Sequence, residues 1–342
     1  MALKVKRLLL SVLALSIMAY VSACYSRTST LAQVVILDSR SQPKDIVWFN
    51  ERLWVGSQNE LSCYRLDGEK LVLISKKRLS VFDLNNCHGR LLVAHKDGVS
   101  SLEGEQWRNW NIGQSYAALC TEKHLIAARE QDLFYVSFDG SPHKVQQVLA
   151  EKDFFPSRLP RHLCFAKACL WVGTECGLHK HFPSGKWQSF YGDIAYCGSR
   201  GKTKFKEGTK GFSGNRVQGI LAWGNKVLVA TANGLSIITD GKFESITGSE
   251  ERLAYDDGDI AARWQIGNSA LPSNDIRAAC YCGEVLTVGT SAGLAVIKNG
   301  KVAFTLSDEL PNTEITCLCP IGNNQLVVGT TEGLALVCLS NL

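Results

Sequence analysis

A nine-residue pattern recurs seven times between Leu53 and Leu334, and no other feature constrains the fold as much. The copies start at Leu53, Leu91, Leu125, Leu170, Val227, Leu286 and Leu326. Each opens with an apolar, largely branched run, as in Leu170-Trp-Val or Leu326-Val-Val. The fourth position is always small: Gly56, Ala94, Ala128, Gly173, Ala230, Gly289, Gly329. Polar residues and, in five copies, a Gly follow, and the ninth position is Leu or Val. An apolar run of this kind reads as a strand. A small residue next marks a place where a neighbouring sheet approaches the backbone. The polar pair with Gly makes a tight turn. The unit is a β-hairpin, and seven of them must stack on one another to bury their faces.

Apolar segments flank the hairpins. Asp45–Phe49, 116–120, 216–221, 275–280 and 314–319 precede them, and Gln106–Trp110, 186–190 and 301–305 follow. Four short strands per copy, spaced by 38, 34, 45, 57, 59 and 40 residues, predict an all-β, seven-bladed β-propeller over residues 31–342. The two long spacings place insertions near 191–214 and 248–270, both read as loops. The seventh copy stops after its third strand, while the strand-like segment 32–37 precedes the first copy unclaimed. The N-terminal segment is therefore expected to complete the last blade and close the ring. The composition agrees: of 342 residues 45% are hydrophobic and 20% charged, which excludes a disordered chain.

The stretch Leu271-Pro-Ser-Asn-Asp-Ile276, continued by Leu286-Thr-Val-Gly-Thr-Ser-Ala-Gly-Leu294, resembles the two-component regulator propeller repeat. Leu310-Pro311 to Leu334 repeats it, and Arg158-Leu-Pro160 to Leu178 does so more loosely. In that family the repeats form the sensor half of hybrid histidine kinases. No kinase, receiver or DNA-binding segment follows the repeats in this sequence, so the resemblance implies a free-standing propeller.

The N-terminus reads as an address. Lys4, Lys6 and Arg7 precede an uncharged run from Leu8 to Ala23, too short to span a bilayer and shaped like a secretory signal peptide. Its end, Val21-Ser-Ala-Cys24, resembles the lipobox of bacterial lipoproteins. That resemblance implies a signal peptide over 1–23, lipidation of Cys24 and a linker over 24–30. Tyr25, in place of an Asp, implies the outer membrane facing the periplasm, with the cell surface as alternative. An ordinary signal peptide cut after Ala23 and an uncleaved anchor are the competing readings. Removing the leader leaves 34 basic against 32 acidic residues, too even a balance to indicate nucleic acid.

Thirteen cysteines are present, and several lie in the strand ahead of a hairpin: Cys120, Cys164, Cys280, Cys282, Cys317 and Cys319, with Cys87 comparably placed. Apolar packing, disulfides and a metal or redox site all remain open for them. Cys176, His179 and His181 form a candidate clasp for a soft metal, at a spacing outside the standard zinc patterns; solvated surface histidines are the plainer reading. Arg200 to Lys210 is a basic segment suited to anionic headgroups or to plain solvation, and Asp256, Asp257 and Asp259 fall short of a calcium loop. Ser157 and His162 have no spacing that makes a dyad. No catalytic signature occurs, so the expectation is a binding protein without a cofactor, monomeric, held to the membrane through Cys24. Assembly scaffold and propeller-type enzyme (a lyase or a quinone-dependent dehydrogenase) are the alternatives. The ligand or partner is expected on the propeller rim that carries Asn215, Arg216, Asn274, Arg277, Glu175, Asn233 and Glu332.

Overall fold

A computed structural model describes residues 32–38, 41–130, 132–138, 142–147, 159–197, 203–256 and 259–339. Cys24 and the segments expected as signal peptide and linker, residues 1–30, lie outside the described residues. Among the described residues no helix is long and apolar enough to cross a membrane.

Seven four-stranded antiparallel sheets form the blades of a propeller. Their innermost strands are Asp45–Phe49, Val81–Cys87, Ala117–Cys120, Pro160–Ala166, Val217–Trp223, Ile276–Cys282 and Ile315–Pro320. Each packs against the innermost strand of the next blade, and the seventh packs against the first. Blade 7 takes its outermost strand from the start of the chain. Ala32–Asp38 pairs antiparallel with Gly333–Leu339, from Ala32↔Leu339 to Asp38↔Leu334. The predicted closure is therefore present, and it leaves no open seam between first and last blades.

The repeat columns have the packing roles their chemistry requires. The second strand of each blade is buried on both faces, which is why Leu91–Ala94 and Val327–Gly329 read as continuous apolar runs. Outer strands face solvent on one side and alternate instead, as along Lys301–Leu306. At three of the small fourth positions the next blade inserts a branched side chain. A Cβ on Gly56 would stand 2.4 Å from Val81 Cγ1, one on Gly173 2.4 Å from Val217 Cγ1, and one on Gly289 2.5 Å from Ile315 Cγ2. Val81, Val217 and Ile315 are almost wholly buried in these sockets.

The fifth-position Thr of the later copies holds the turn. Thr290 Oγ1 donates to Gly293 O at 2.8 Å and accepts from the Ala292 N–H at 3.0 Å. Thr174, Thr231 and Thr330 make the same pair of bonds. The eighth-position Gly is required by conformation: Gly177, Gly234 and Gly293 have φ of 128°, 128° and 130°.

The two insertions are hairpins rather than the expected loops. Ile194–Cys197 pairs with Thr203–Lys206, and Glu250–Asp256 with Asp259–Gln265. In the second, Asp256 pairs with Asp259 at the end of the hairpin, and Asp257 lies outside the described residues.

Replacing Gly289 by Val tests the blade socket. The added side chain has no room beside Ile315, so a loss of about 1–3 kcal/mol is expected. It would appear as a lower Tm for G289V in a thermal melt, and an unchanged Tm would contradict the packing described.

Candidate ligand-binding mouth

In five blades the innermost strand carries a β-bulge near its start, and the extra residue is Phe82, Arg161, Gln218, Arg277 or Thr316. A bulge re-aims a side chain out of the regular alternation. In blades 1 and 3 the residue just ahead of the strand, Lys44 or Tyr116, takes the equivalent place. All seven converge on one cavity of about 370 Å³ at the mouth of the central channel. Every blade thus contributes one side chain to the same opening. The mouth is continuous through Pro43, Lys44 and Thr316 with a groove of about 610 Å³ between blades 7 and 1.

Four cations stand at this opening: Lys44, Arg161, Arg216 and Arg277. Two are held by carboxylates. Arg161 Nη2 donates to Glu175 Oε1 at 3.3 Å. Arg277 donates from Nε to Asp275 Oδ2 at 2.8 Å and from Nη2 to Glu314 Oε1 at 3.1 Å. Gln218 donates to the other oxygen of Asp275. Aromatic rings support two of the cations, with Arg161 4.1 Å from the Tyr116 centroid and Lys44 5.2 Å from that of Phe82. Arg216 is exposed and, like Lys44, has no carboxylate partner among the described residues. The opening therefore combines positioned guanidinium groups, two uncompensated cations and aromatic faces.

Below the mouth the channel wall has a second polar layer, which solves a structural problem. Each innermost strand is paired on one side only, so its other edge carries free backbone N–H groups. Side chains from the preceding blade cap them. The Leu84 N–H donates to Asp45 Oδ2 at 2.6 Å, and the Ala118 N–H donates to Asp83 Oδ2 at 3.0 Å. Deeper in the channel sulfur does the same work once, where the Cys120 N–H donates to Cys87 Sγ at 3.1 Å; Cys164 and Cys319 instead donate to the carbonyls of Phe165 and Pro320 at 3.8 Å. Cys280 instead bonds Thr287 Oγ1 at 3.1 Å within its own blade, and Cys282 donates to Gln325 O across to the next. Burial pushes the Cys164 thiol up to about 11 and that of Cys280 to about 12, so both remain protonated. The eleven described cysteines carry no disulfide.

Burial also raises both carboxyls, with Asp83 reaching about 7, and the neighbouring Asp83 raises Asp45 further. His162, buried beside Arg161, is lowered to about 4 and is neutral at pH 7.

The sequence-predicted residues divide into three groups. Arg216, Arg277 and Glu175 do line the mouth. Asn215 and Asn274 do not; they are clamps at the bases of the insertions. Asn215 Oδ1 accepts from the Gly192 N–H at 2.9 Å and its Nδ2 donates to the carbonyls of Gly192 and Asp193. Asn274, 1% exposed, holds Gly248 in the same way, accepting at 2.6 Å and donating at 3.0 Å. Asn233 and Glu332 sit in hairpin turns, where their backbone N–H groups donate to Thr231 and Thr330. Cys176, His179 and His181 do not form a metal clasp: among the described residues no group of three or more His, Cys, Asp or Glu is placed to hold an ion. Both ring nitrogens of the buried His179 face hydroxyls, Ser189 Oγ at 2.9 Å and Thr174 Oγ1 at 3.4 Å. His181 packs 4.4 Å from the Trp187 ring centroid. Ser157 lies outside the described residues.

Lys44, Phe82, Tyr116, Arg161 and Gln218 were not anticipated, although the repeat contains a signal for them. Each lies nine residues ahead of the hairpin's first position, as does Arg277, and Thr316 lies ten ahead.

No protein-family model matches the sequence, and no curated protein matches it. Solved structures do. A catalytically inactive virginiamycin B lyase from Staphylococcus aureus, solved with quinupristin, superposes with a TM-score of 0.61 at 13% identity, over 90% of this chain and 99% of that one. BamB from Moraxella catarrhalis superposes with a TM-score of 0.53 at 12% identity, over 89% and 98%. An extracellular domain of a putative hybrid two-component system from B. thetaiotaomicron aligns at 18% identity over 82% of this chain and 39% of its own, with a TM-score of 0.43, too loose a superposition to argue from. These likenesses show the propeller fold.

The raised carboxyl gives a pH test. A carboxyl whose folded pKa lies above its unfolded value binds more protons in the native state, so it favours folding at low pH, and that contribution is lost as pH rises from about 4 to about 7. His162, lowered from 6.5 to about 4, acts in the opposite sense over much of the same window. Asp83→Asn keeps an oxygen for the Ala118 N–H, removes this carboxyl's titration and relieves its push on Asp45, two changes of the same sign. The Tm of D83N minus that of the wild type is therefore expected to grow between pH 4 and 7, and a pH-independent difference would contradict it.

Proposed function

We propose that this chain is a cell-envelope recognition module that binds an anionic group of a ligand or protein partner at the channel mouth. One observation carries the reading: seven side chains, one from each blade, converge on a single opening that keeps Arg216 and Lys44 uncompensated. A rigid ring with preset guanidinium groups loses little entropy on binding, and Arg suits bidentate contact with carboxylate or phosphate. Loops and strand ends on such a scaffold commonly carry function. The lipobox-like Val21-Ser-Ala-Cys24 supports an address at the membrane through a lipid on Cys24, with the ring as a monomer close to the bilayer. The arrangement favours binding over catalysis. His162 is a weak base at its lowered pKa, and among the described residues no nucleophile is hydrogen-bonded to it.

Charge reversal tests the reading. Cells expressing wild type or the double variant K44E/R216E would be cross-linked, the protein recovered from membranes, and co-purifying proteins and the mass of the Cys24 peptide determined. A partner recovered with the wild type should fall at least tenfold with the variant, whose Tm should stay within a few degrees. Equal recovery would refute the mouth as the binding surface. An unmodified Cys24 would refute the lipid anchor separately.

A further inference from the structure

We propose that Cys87 and Cys120 form a disulfide site, a covalent staple between blades 2 and 3 at the channel end opposite the mouth. Each is the last residue of its innermost strand, so adjacent blades bring them together although 33 residues separate them. The contacts are reciprocal. Cys87 S–H donates to Cys120 O at 2.9 Å, Cys120 S–H donates to Cys87 O at 3.1 Å, and the Cys120 N–H reaches Cys87 Sγ at 3.1 Å. Each sulfur therefore lies against the backbone of the other residue. The other inner-strand cysteines lack such a partner. Cys164 and Cys319 meet backbone, Cys282 meets Gln325 O, and Cys280 meets a threonine hydroxyl.

The same contact divides the roles. Hydrogen bonding from Cys120 holds the Cys87 thiol below its ordinary range, while that of Cys120 is pushed up. Cys87 is thus the first thiolate. The oxidant is a small-molecule or protein disulfide, as found in oxidising compartments. Cys87 thiolate attacks one of its sulfurs, forming a mixed disulfide and releasing the other sulfur as a thiol after protonation. Cys120 then loses its proton and attacks Cys87 Sγ, releasing the second thiol. Two protons and two electrons pass from the pair to the oxidant. The new bond joins the strands Val81–Cys87 and Ala117–Cys120, whose interface also has packing, the Asp83 cap and a bond from Asn85 Nδ2 to Ala118 O at 3.3 Å. Closing a loop of this length restricts the unfolded chain and raises stability.

The test needs only the full chain. Protein purified under reducing conditions would be equilibrated with oxidised glutathione, denatured in an alkylating agent, digested without reductant and mapped by mass spectrometry. The expected product is the Cys87 peptide joined to the Cys120 peptide, two hydrogens lighter than the separate thiol forms, with Cys280, Cys282, Cys317 and Cys319 alkylated. The oxidised protein should melt several degrees higher than the reduced one, and this increment should disappear in C87S/C120S. Recovery of both peptides fully alkylated would overturn the proposal, and because that mapping is done on the wild type it stands even if the double variant folds poorly.

Discussion

Everything in this ring depends on how closely one blade approaches the next. In three blades the fourth position of the hairpin is a glycine socket that the first residue of the next innermost strand fills: Val81 at Gly56, Val217 at Gly173, Ile315 at Gly289. Interiors pack at crystal-like density, so a socket of this size tolerates no extra methyl group without movement. Repeating the contact around the ring sets the angle between blades. That angle brings the innermost strands together around a narrow channel and fixes which side chains meet at its two ends. The chain seals the ring by lending Ala32–Asp38 to the last blade.

Close approach creates the polar problem that gives the channel its chemistry. Seven strand edges face inward with unpaired N–H groups, and water cannot be relied on to satisfy them in a narrow channel. Aspartate and cysteine from the preceding blade supply acceptors instead. A thiol suits this place, since it fits an apolar wall and still accepts a hydrogen bond, as Cys87 does from the Cys120 N–H. Where the cap is a carboxylate, burial raises its pKa; where two cysteines serve adjacent blades, their side chains meet. Capping chemistry thus accounts both for the titrating pair Asp45 and Asp83 and for the contact between Cys87 and Cys120.

Much of the fold was legible in the sequence because the constraint repeats. Seven copies of one hairpin gave the blade number, the socket positions and the closing strand. The site was harder to read. Arg216, Arg277 and Glu175 could be placed by counting from the hairpins. Asn215 and Asn274 sit at matching positions yet point to the backbone at Gly192 and Gly248, because each must hold down the base of an insertion. Local spacing cannot distinguish a side chain facing a channel from one facing a neighbouring loop. Phe82 and Arg161 were hidden because bulges break the two-residue alternation on which strand reading relies. His179 resembled a ligand only while Ser189 and Thr174, its actual partners, were unknown neighbours.

The central claim is that recognition occurs at the channel mouth, and the two ends of the innermost strands offer a direct comparison. Phe82 marks the mouth, and Trp223, exposed and stacked 4.1 Å from Tyr281, marks the opposite end. A photo-cross-linking residue placed at either position, in otherwise wild-type protein in intact cells, reports which end meets a partner. A cross-linked adduct from position 82 and none from position 223 is the predicted result. An adduct from position 223 alone would contradict it.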